Sequence, residues 1–487
     1  MDITLIPGYP PIVMRASYEE LVRENRRLRK ENQELRAQFN RLQQENQALR
    51  DKITALEAEL RRGHRQAAPF SRDEPKQEPK RPGRRPGKGR FTHREMPPED
   101  KIQQTIEVPL ESCPYCGGPL IDHATHEQIQ IDLPEVQPLI TRFRTESGYC
   151  PRCGKRVHSR HPDQVSQATG AAGVSLGPRA KALAADLKHR LGIPYRKITD
   201  LFQTAFGLEV SAGGLCQANE RLAKRTAPVY EELVEAIRRC AAVHADETGW
   251  RIGVLSAWLW VFTSRTITVY TIDESRSHDV VVKILGREFA GVLVSDCFAA
   301  YDHRALAKWL KQKCFAHFLR ELSKLEREKK RGAVRFPRAL LAVLREALEL
   351  REEGASLDRE SFAARRRGLE EQLDALIAER RQFSDPDNAR LAKRLRKQRQ
   401  HLFTFLEVEE VEATNNRAER ALRPAVVVRK MGSCNRTTRG ARTHAVLATL
   451  LVTAKQQGQD PLAYLAKVLT ARGKLPSLAL QRSPPGS

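Results

Sequence analysis

The chain lacks the features that mark membrane and secreted proteins. No apolar run approaches the roughly 20 residues that span a bilayer. The first residues have neither the basic nor the apolar region of a signal peptide. Cysteine is scarce: of nine in 487 residues, four form two Cys-x-x-Cys pairs, a usage typical of metal binding in a reducing compartment and not of a disulfide framework. We therefore expect a soluble, cytoplasmic protein with no membrane partner.

Acidic residues are the minority among the charged ones. Lys and Arg together number 84 against 60 Asp and Glu, a formal net charge of +24. Such an excess favours a polyanionic partner, and DNA at the nucleoid is the one we expect. At 487 residues the chain is long enough for three or four domains with at least one sizeable core.

A leucine stripe repeats every seventh residue near the N-terminus, without Pro or Gly. One core position of the heptad carries Leu21, Leu28, Leu35, Leu42, Leu49 and Leu56; the other carries Tyr18, Asn25, Asn32, Phe39, Asn46, Ile53 and Leu60. Leu at one position with Asn at the other favours a parallel two-stranded coiled coil, and so a homodimer or higher oligomer. A single long helix packed on its own protein is the alternative. The segment before Tyr18 has a single Arg, which excludes a basic-zipper transcription factor.

A basic linker follows, rich in Pro, Gly and Arg. It contains Arg84 and Arg85 within the run 79–90, and its composition cannot bury a core. Segments of this kind can lie along phosphates or enter a narrow minor groove. A solvated tether is the equally favoured alternative.

Two cysteine pairs predict a structural zinc site. Cys113 and Cys116 form the first pair, Cys150 and Cys153 the second, and each pair has Pro after its first Cys and Gly after its second. Four thiolates at this spacing suit tetrahedral Zn²⁺. Two matched pairs argue against a redox dithiol, and a strand over 128–132 is expected between them.

The segment 193–224 has the pattern of a helix-turn-helix. A helical run ends near Gly207, and Ser211 is placed to cap a second helix that carries Arg221 and Lys224. We predict DNA contact here, with ordinary core packing as the alternative.

Two apolar runs of strand length each end in a carboxylate, 240–246 at Asp246 and 291–296 at Asp296. The β-rich runs 256–264 and 266–272 between them predict a hairpin. Three antiparallel strands with a fourth beside the first match a ribonuclease-H-like sheet, in which the two carboxylates would lie on neighbouring strands. With a third from a helix, Glu419, they would form an all-oxygen site for Mg²⁺ or Mn²⁺.

Nearby acids compete with these three for the ligand roles. Asp273 and Asp302 also lie near strand or loop ends and are rival ligands. The spacing Asn416-x-x-Glu419 is also that of a capping box, in which Glu419 would serve the helix start. In that case Glu412 is the next candidate for the third ligand.

Several motifs together resemble the insertion sequence 66 family of bacterial transposases. They are His244-Ala-Asp-Glu-Thr-Gly-Trp250, Ser295-Asp-Cys-Phe-Ala-Ala-Tyr301, Cys314-Phe-Ala-His317, Asn415-Asn-Arg-Ala-Glu-Arg-Ala-Leu-Arg-Pro424 with Arg429-Lys430, Thr453-Ala-Lys-Gln-Gln-Gly458 and Asp460-Pro-Leu-Ala-Tyr-Leu465. The resemblance covers roughly residues 75 to 470. The stretch 431–439 is more polar and basic than the family's usual segment.

The resemblance implies a DDE transposase that binds element ends and target DNA. The catalytic acids then correspond to Asp246, Asp296 and Glu419, and small accessory proteins of the same element are possible partners. Basic residues around the third acid would contact DNA: Arg417, Arg420, Arg423, Arg429 and Lys430. The role of His317 stays open. A catalytically inactive zinc-ribbon DNA-binding regulator and a ribonuclease-H-like nuclease are the alternative functions.

The predicted fold is mixed α/β and mostly helical. In chain order we predict a coiled coil (17–62), a basic linker (63–100), a zinc-binding ribbon (101–165), a helical DNA-binding region (166–239), a ribonuclease-H-like core (240–324 and 411–435) interrupted by a helical insertion (325–410), and C-terminal helices (436–487). Pro424 is expected to kink or end its helix.

Overall fold

The computed structural model describes residues 18–64 and 94–479, apart from 123, 167, 169, 380, 381 and 433. Contacts divide the chain into two units, Met1–Arg90 and Phe91–Ser487. Arg84 and Arg85, which we predict to contact DNA, lie outside the described residues. Within the described part, no helix is both long enough and apolar enough to cross a membrane.

The first unit contains one long helix, α1 (Tyr18–His64), over the predicted heptads. Its leucine stripe faces solvent: Leu35, at the centre, is 64% exposed, and Leu21, Leu28, Leu42 and Leu49 are exposed to a similar degree. A regular apolar stripe left in water is what a coiled-coil partner would cover. Dimerisation itself stays a prediction.

The second unit is an α/β structure with two sheets. Its strands are β1 (Ser147–Cys150), β2 (Lys155–His158), β3 (Ala242–Ile252), β4 (Leu255–Thr263), β5 (Thr268–Asp273), β6 (Val292–Ser295) and β7 (Leu310–Lys313). Its α-helices are α2 (Pro178–His189), α3 (Tyr195–Phe206), α4 (Ala212–Ile237), α5 (His278–Leu285), α6 (Phe315–Glu328), α7 (Arg335–Glu353), α8 (Arg359–Ile377), α9 (Pro386–Gln398), α10 (Thr404–Glu407), α11 (Asn416–Gly432), α12 (Thr438–Gln456) and α13 (Pro461–Thr470).

The larger sheet has the strand order β5-β4-β3-β6-β7. β3, β4 and β5 are antiparallel neighbours, and β6 and β7 continue from β3 in parallel. The predicted hairpin and the predicted fourth strand beside the first are therefore both present. β3 is longer than expected, however. It continues to Ile252 because β4 pairs with it from His244 to Ile252, so Asp246 lies inside the strand and not at its end.

Helices cover both faces of this sheet. Alternate residues of β3 and β4, among them Ala245 and Phe262, pack with α4, α5 and α12 on one face. On the other face α11 packs against residues such as Val261. The helices of the predicted insertion share a core with Val292 and Val294 on that same face, and so pack on the sheet directly.

Two local predictions about helices are resolved by the backbone. The first concerned Pro424, which we expected to kink or end its helix. α11 continues through Pro424 to Gly432, so the helix end is wrong, and the kink stays a prediction. The second concerned the break near Gly207, which is present. Gly207 ends α3 with a left-handed φ of 60°, and Ser211 caps α4 by accepting a hydrogen bond from Gly214 N.

Candidate active site

Asp246 and Asp296 occupy matching positions on adjacent parallel strands. The last paired residues of β3 and β6 are His244 and Val294, and each Asp follows two residues later. Residues two apart on a strand share a face, and neighbouring strands lie about 4.8 Å apart. Both carboxylates are thus directed to the same face of the sheet, where the pairing of β3 with β6 ends. This is the face that α11 covers.

Asn415 fixes the start of α11 beside Asp246. Its side-chain amide donates to the carbonyl of Ala245 at 2.8 Å, and its backbone N–H donates to Cys314 Sγ at 3.1 Å. Further along α11, Arg429 donates to Thr248 Oγ1 at 2.9 Å. These bonds hold α11 along β3, so Glu419 in its first turns is positioned by the sheet.

Glu419 does not behave as a capping residue. α11 begins at Asn416, and Glu419 Oε1 is shielded from solvent without a hydrogen-bond partner among the described residues. A capping box would join its carboxylate to a backbone N–H at the helix start. The oxygen is instead 4.0 Å from His317 Nδ1 and 3.6 Å from Arg320 Nη2.

Asp246 interacts electrostatically with the other two acids. Burial raises the pKa of Asp246 to about 7, and the charges of Glu247, Asp296 and Glu419 act in the same direction, while the Glu247 N–H donates to Asp246 and opposes them. A buried carboxyl surrounded by acids holds its proton more tightly than the unfolded chain does. Clusters of this kind are common at functional sites because a bound cation can relieve the repulsion.

The raised pKa predicts a stability effect. Between the unfolded pKa of about 3.9 and the folded value near 7, the folded state binds more protons, so stability falls as the pH rises through that range. Asp246→Asn removes the buried charge and should stabilise the magnesium-free protein at pH 8 by about 2–4 kcal/mol, with little difference near pH 4. Urea unfolding at both pH values measures this, in dialysed buffer without chelator. An equal difference at both pH values would contradict the cluster.

Glu247 is a buried acid whose surroundings the sequence did not reveal. It is directed to the opposite face from Asp246 and accepts hydrogen bonds from Tyr301 OH at 2.7 Å and from Arg276. The Arg276 guanidinium lies about 4 Å from the ring centres of Trp258 and Phe298. With its oxygens already bonded, Glu247 acts as a charged neighbour of the site. The motif Asp-Glu-Thr was the only sequence signal for it.

Asp302 is not a free acid. Its Oδ1 lies 2.7 Å from Lys313 Nζ, and both side chains are buried. Burial by itself raises the pKa of Asp302, but the Lys313 ammonium and a hydrogen bond from Gln398 outweigh it and hold the pKa below its usual range. Lys313 Nζ also donates to the backbone carbonyl of Asp296 at 3.0 Å. Asp302 is therefore part of the support beneath Asp296 and is not available as a rival ligand.

Asp273, the other rival, lies apart from the cluster at the end of β5. Its Oδ2 pairs with Lys283 Nζ at 3.1 Å, and its Oδ1 accepts from Ser275 N–H. Glu412, the fallback third ligand, pairs with Arg417. Both acids thus have local partners in the described structure.

The predicted DNA-contacting residues of α11 differ in exposure. Arg420 and Arg423 are exposed, whereas Arg417 and Arg429 bind protein groups and Lys430 is half-buried. On α6, Arg320 is exposed beside Glu419, and Lys324, one turn further along the helix, is also exposed. The side chains best placed to contact a phosphate backbone are therefore the exposed cations of both helices.

The predicted zinc ligands lie in two tight turns. Gly117 N–H donates to Cys113 O at 2.8 Å and Gly154 N–H to Cys150 O at 2.9 Å, and both glycines have left-handed φ values near 70°. Backbone N–H groups lower the pKa of the Cys113 thiol. The second turn joins β1 to β2, whereas residues 128–132, which we expected to be a strand, have no regular structure. In the part of the chain that the structure describes, the four sulfurs do not form a set within 4.8 Å of one another.

A set of three metal-ligating atoms does lie within this distance near the start of α11. It includes His317, whose role the sequence left open. Cys314, His317 and Glu419 present one ligand atom each, all within 4.8 Å. Cys314 is fully buried, and burial raises the pKa of its thiol, against which a hydrogen bond from Asn415 N–H acts. His317 therefore lies at the third acid and is not a core residue.

Comparisons with known proteins show the family of the chain. The profile of the family described as "Transposase IS66 family" matches residues 173–443, more than half of the chain. The chain belongs to this family. The matched segment contains Asp246, Asp296 and Glu419 and begins after both cysteine pairs. The resemblance noted in the sequence is thus confirmed, and it supports a transposase role with DNA as the partner.

Two relatives match most of the chain. The uncharacterized protein y4qI of Sinorhizobium fredii (strain NBRC 101917 / NGR234) is 26% identical over 420 residues, which is 79% of this chain and 74% of the relative. The uncharacterized protein y4jD of the same strain is 28% identical over 416 residues, or 78% and 77%. In both cases the similarity extends beyond the family segment.

Proposed function

We propose that this IS66-family protein binds the ends of an insertion sequence and catalyses metal-dependent DNA cleavage and strand transfer. The observation that carries the proposal is that Asp246 and Asp296 share one face of the larger sheet, and that Glu419, on the helix that covers this face, acts electrostatically on Asp246. The order β5-β4-β3-β6-β7, with three antiparallel strands and two parallel ones, supports a ribonuclease-H-like core. The exposed cations of α6 and α11 support DNA binding beside it.

The three acids suit a divalent metal. They offer only oxygen ligands, which Mg²⁺ and Mn²⁺ prefer. The raised pKa of Asp246, and a shielded Glu419 oxygen that has no hydrogen-bond partner among the described residues, are both features that a cation would relieve. When bound, a pair of such ions activates the attacking oxygen and stabilises the leaving oxygen of a phosphodiester.

The chain's own residues would prepare this chemistry. Asp246 and Asp296 are held on two adjacent strands, and Asn415 anchors the helix that brings Glu419 to them. Arg420 and Arg423 would bind phosphates on either side of the reacting bond and set its position. No covalent link between protein and DNA is required.

The test is a cleavage assay with the full chain and a plasmid carrying the element ends. Inverted repeats of about 20–30 base pairs, a typical length for specific sites, should flank the gene and serve as substrate. We expect Mg²⁺-dependent cleavage that leaves 3′-hydroxyl ends, whereas Ca²⁺ supports binding only. Binding without cleavage in Mg²⁺ or Mn²⁺ would favour a catalytically inactive regulator, and cleavage of branched DNA without element ends would favour a nuclease.

We also propose that Cys113, Cys116, Cys150 and Cys153 hold one structural Zn²⁺. The segment around them buries little of its own apolar surface; Leu139, for example, is 94% exposed. A small module without a core needs another source of stability, and metal binding supplies it.

Freshly purified, reduced protein should contain one tightly held zinc. Cys113→Ser should lose it and make residues 101–165 sensitive to protease, whereas Cys216→Ser, on exposed α4 surface, should not. Zinc-free wild-type protein would contradict the proposal.

Assembly through α1 is the third part of the proposal. Deleting residues 1–62 should weaken self-association and leave the second unit folded, because the exposed leucine stripe is removed while the sheet and its helices are intact. Replacing Asn25, Asn32 and Asn46 with Leu should stabilise the coil but broaden its choice of strand number. Sedimentation measures both effects. An unchanged oligomeric state after truncation would show that α1 does not assemble the protein.

A further inference from the structure

A second kind of metal site adjoins the carboxylate cluster. We propose that Cys314, His317 and Glu419 bind a thiophilic divalent ion such as Zn²⁺, and that Zn²⁺ held there withdraws Glu419 from the oxygen-ligand site. The first claim, metal binding by these three residues, depends on geometry alone. The second claim, inhibition of cleavage by Zn²⁺, rests on the proposed function.

The ligands come from two helix starts that are joined to each other. Cys314 immediately precedes α6 and His317 lies in its first turn, so the sulfur and the imidazole are near one another. Glu419 lies in the first turns of α11. Phe315 N–H donates to Ala413 O at 2.9 Å, and Asn415 N–H donates to Cys314 Sγ at 3.1 Å. These bonds tie the two helix starts together, so the three ligands are largely preorganised.

Two atoms of the set are shielded but unsatisfied. His317 Nδ1 and Glu419 Oε1 have no hydrogen-bond partner among the described residues. They are 4.0 Å apart, too far for a hydrogen bond. Zinc bonds of about 2.0–2.2 Å place two tetrahedral ligands roughly 3.4 Å apart, so these two atoms would have to approach each other by about half an ångström. The contact of Glu419 with exposed Arg320 competes weakly, because exposed ion pairs contribute little.

The donor types decide which ion binds. Thiolate, imidazole and carboxylate all bind Zn²⁺, whereas Mg²⁺ prefers oxygen ligands and retains water. On binding, the Cys314 thiol gives its proton to the buffer and its sulfur forms the bond to zinc. Three protein ligands leave a fourth position for water. This ion should therefore be weaker and more exchangeable than one held by four cysteines.

The binding test uses the full chain, reduced and carrying its tightly held metal. Titration with Co²⁺, a spectroscopic substitute for Zn²⁺, should produce a thiolate-to-cobalt absorption band that Zn²⁺ then abolishes. Cys314→Ala should remove the band, and His317→Ala should weaken the affinity at least tenfold. Because Cys314 is buried and its variant can misfold, partly exposed His317 provides the second variant. Cys216→Ala, which removes an exposed thiol on α4, should keep both band and affinity.

The coupling test adds Zn²⁺ to the Mg²⁺-dependent cleavage assay. Zn²⁺ should inhibit the wild-type protein, and the concentration for half inhibition should rise at least tenfold in His317→Ala. Each protein is compared with its own rate without added Zn²⁺. No thiolate band, or a band unchanged in both variants, overturns the site. Equal inhibition of wild type and variant overturns the coupling. If no protein cleaves DNA, the proposed function fails, while the cobalt titration still decides the site.

Discussion

Glu419→Gln should lower Mg²⁺-dependent DNA cleavage about a thousandfold or more, as should Asp246→Asn and Asp296→Asn. Each change removes a charged oxygen ligand at nearly constant shape. A metal pair that lacks one ligand loses the geometry that stabilises the transition state, and loss of a major electrostatic stabiliser costs on the order of a thousandfold in rate. DNA binding should survive, since it depends on Lys and Arg contacts that these changes leave intact. Single-turnover cleavage and a binding titration at one salt concentration separate the two effects.

Combinations of these changes should be no worse than the single ones, because the three acids act as one unit. Asp273→Asn is the matched control: it also removes a carboxylate near a strand end, but its acid pairs with Lys283 away from the cluster. It should retain activity. Should Glu419→Gln cleave at a near-normal rate, Glu412 becomes the third-ligand candidate, and its pairing with Arg417 would have to open.

The carboxylate positions were predictable because local pattern determines them. An apolar run of strand length followed by Asp needs only a pairing partner to place the acid at the sheet, and Val292 and Val294 supply the neighbouring strand. The pattern could not show where β3 ends, since that depends on how far β4 pairs with it. Asp246 accordingly lies within the strand and not at its end.

Buried charge pairs were the part that the sequence could not reveal. In the sequence, Asp302 is one more acid near a strand end. Nothing in the residues around it indicates that Lys313, on β7, is buried against it. The same holds for Glu247, whose partner Arg276 lies in a loop and whose partner Tyr301 lies in a short 3-10 helix. Such contacts depend on the tertiary arrangement of polar residues that have no periodicity of their own.

The spacing around His317 is visible in the sequence, but the role of this residue depends on the tertiary structure. A Cys-x-x-His spacing at a helix start is a visible signal, but a single His beside a Cys is more often packed in a core than used for binding. The approach of α11 decides the question, because Asn415 joins its start to Cys314 and so brings Glu419 to the imidazole. Cys314 and Asn415 are 101 positions apart, and the whole predicted helical insertion (325–410) lies between them.

Asp302→Asn should destabilise the second unit strongly, although it lies outside the ligand set. Lys313 is fully buried and would lose the acid that pairs with it. Removing one partner of a buried ion pair costs about 3–5 kcal/mol. Because the pKa of Asp302 is held below its usual range, the pair's contribution is present above the unfolded pKa of about 3.9 and is lost as the pH falls through the folded value. Urea unfolding at pH 7 measures the loss.

The double change Lys313→Met with Asp302→Asn removes the buried lysine charge together with the acid that pairs with it. With no ion left unpaired, the double variant should be less destabilised than the sum of its single variants, and the difference is the coupling energy. The matched control is Lys283→Met with Asp273→Asn, an exposed pair whose loss should cost less than about 1 kcal/mol. Lys313 also holds the Asp296 carbonyl, so the double variant should need more Mg²⁺ for half-maximal cleavage even where its stability recovers. Wild-type Mg²⁺ dependence in that variant would show that Lys313 stabilises the fold without positioning Asp296.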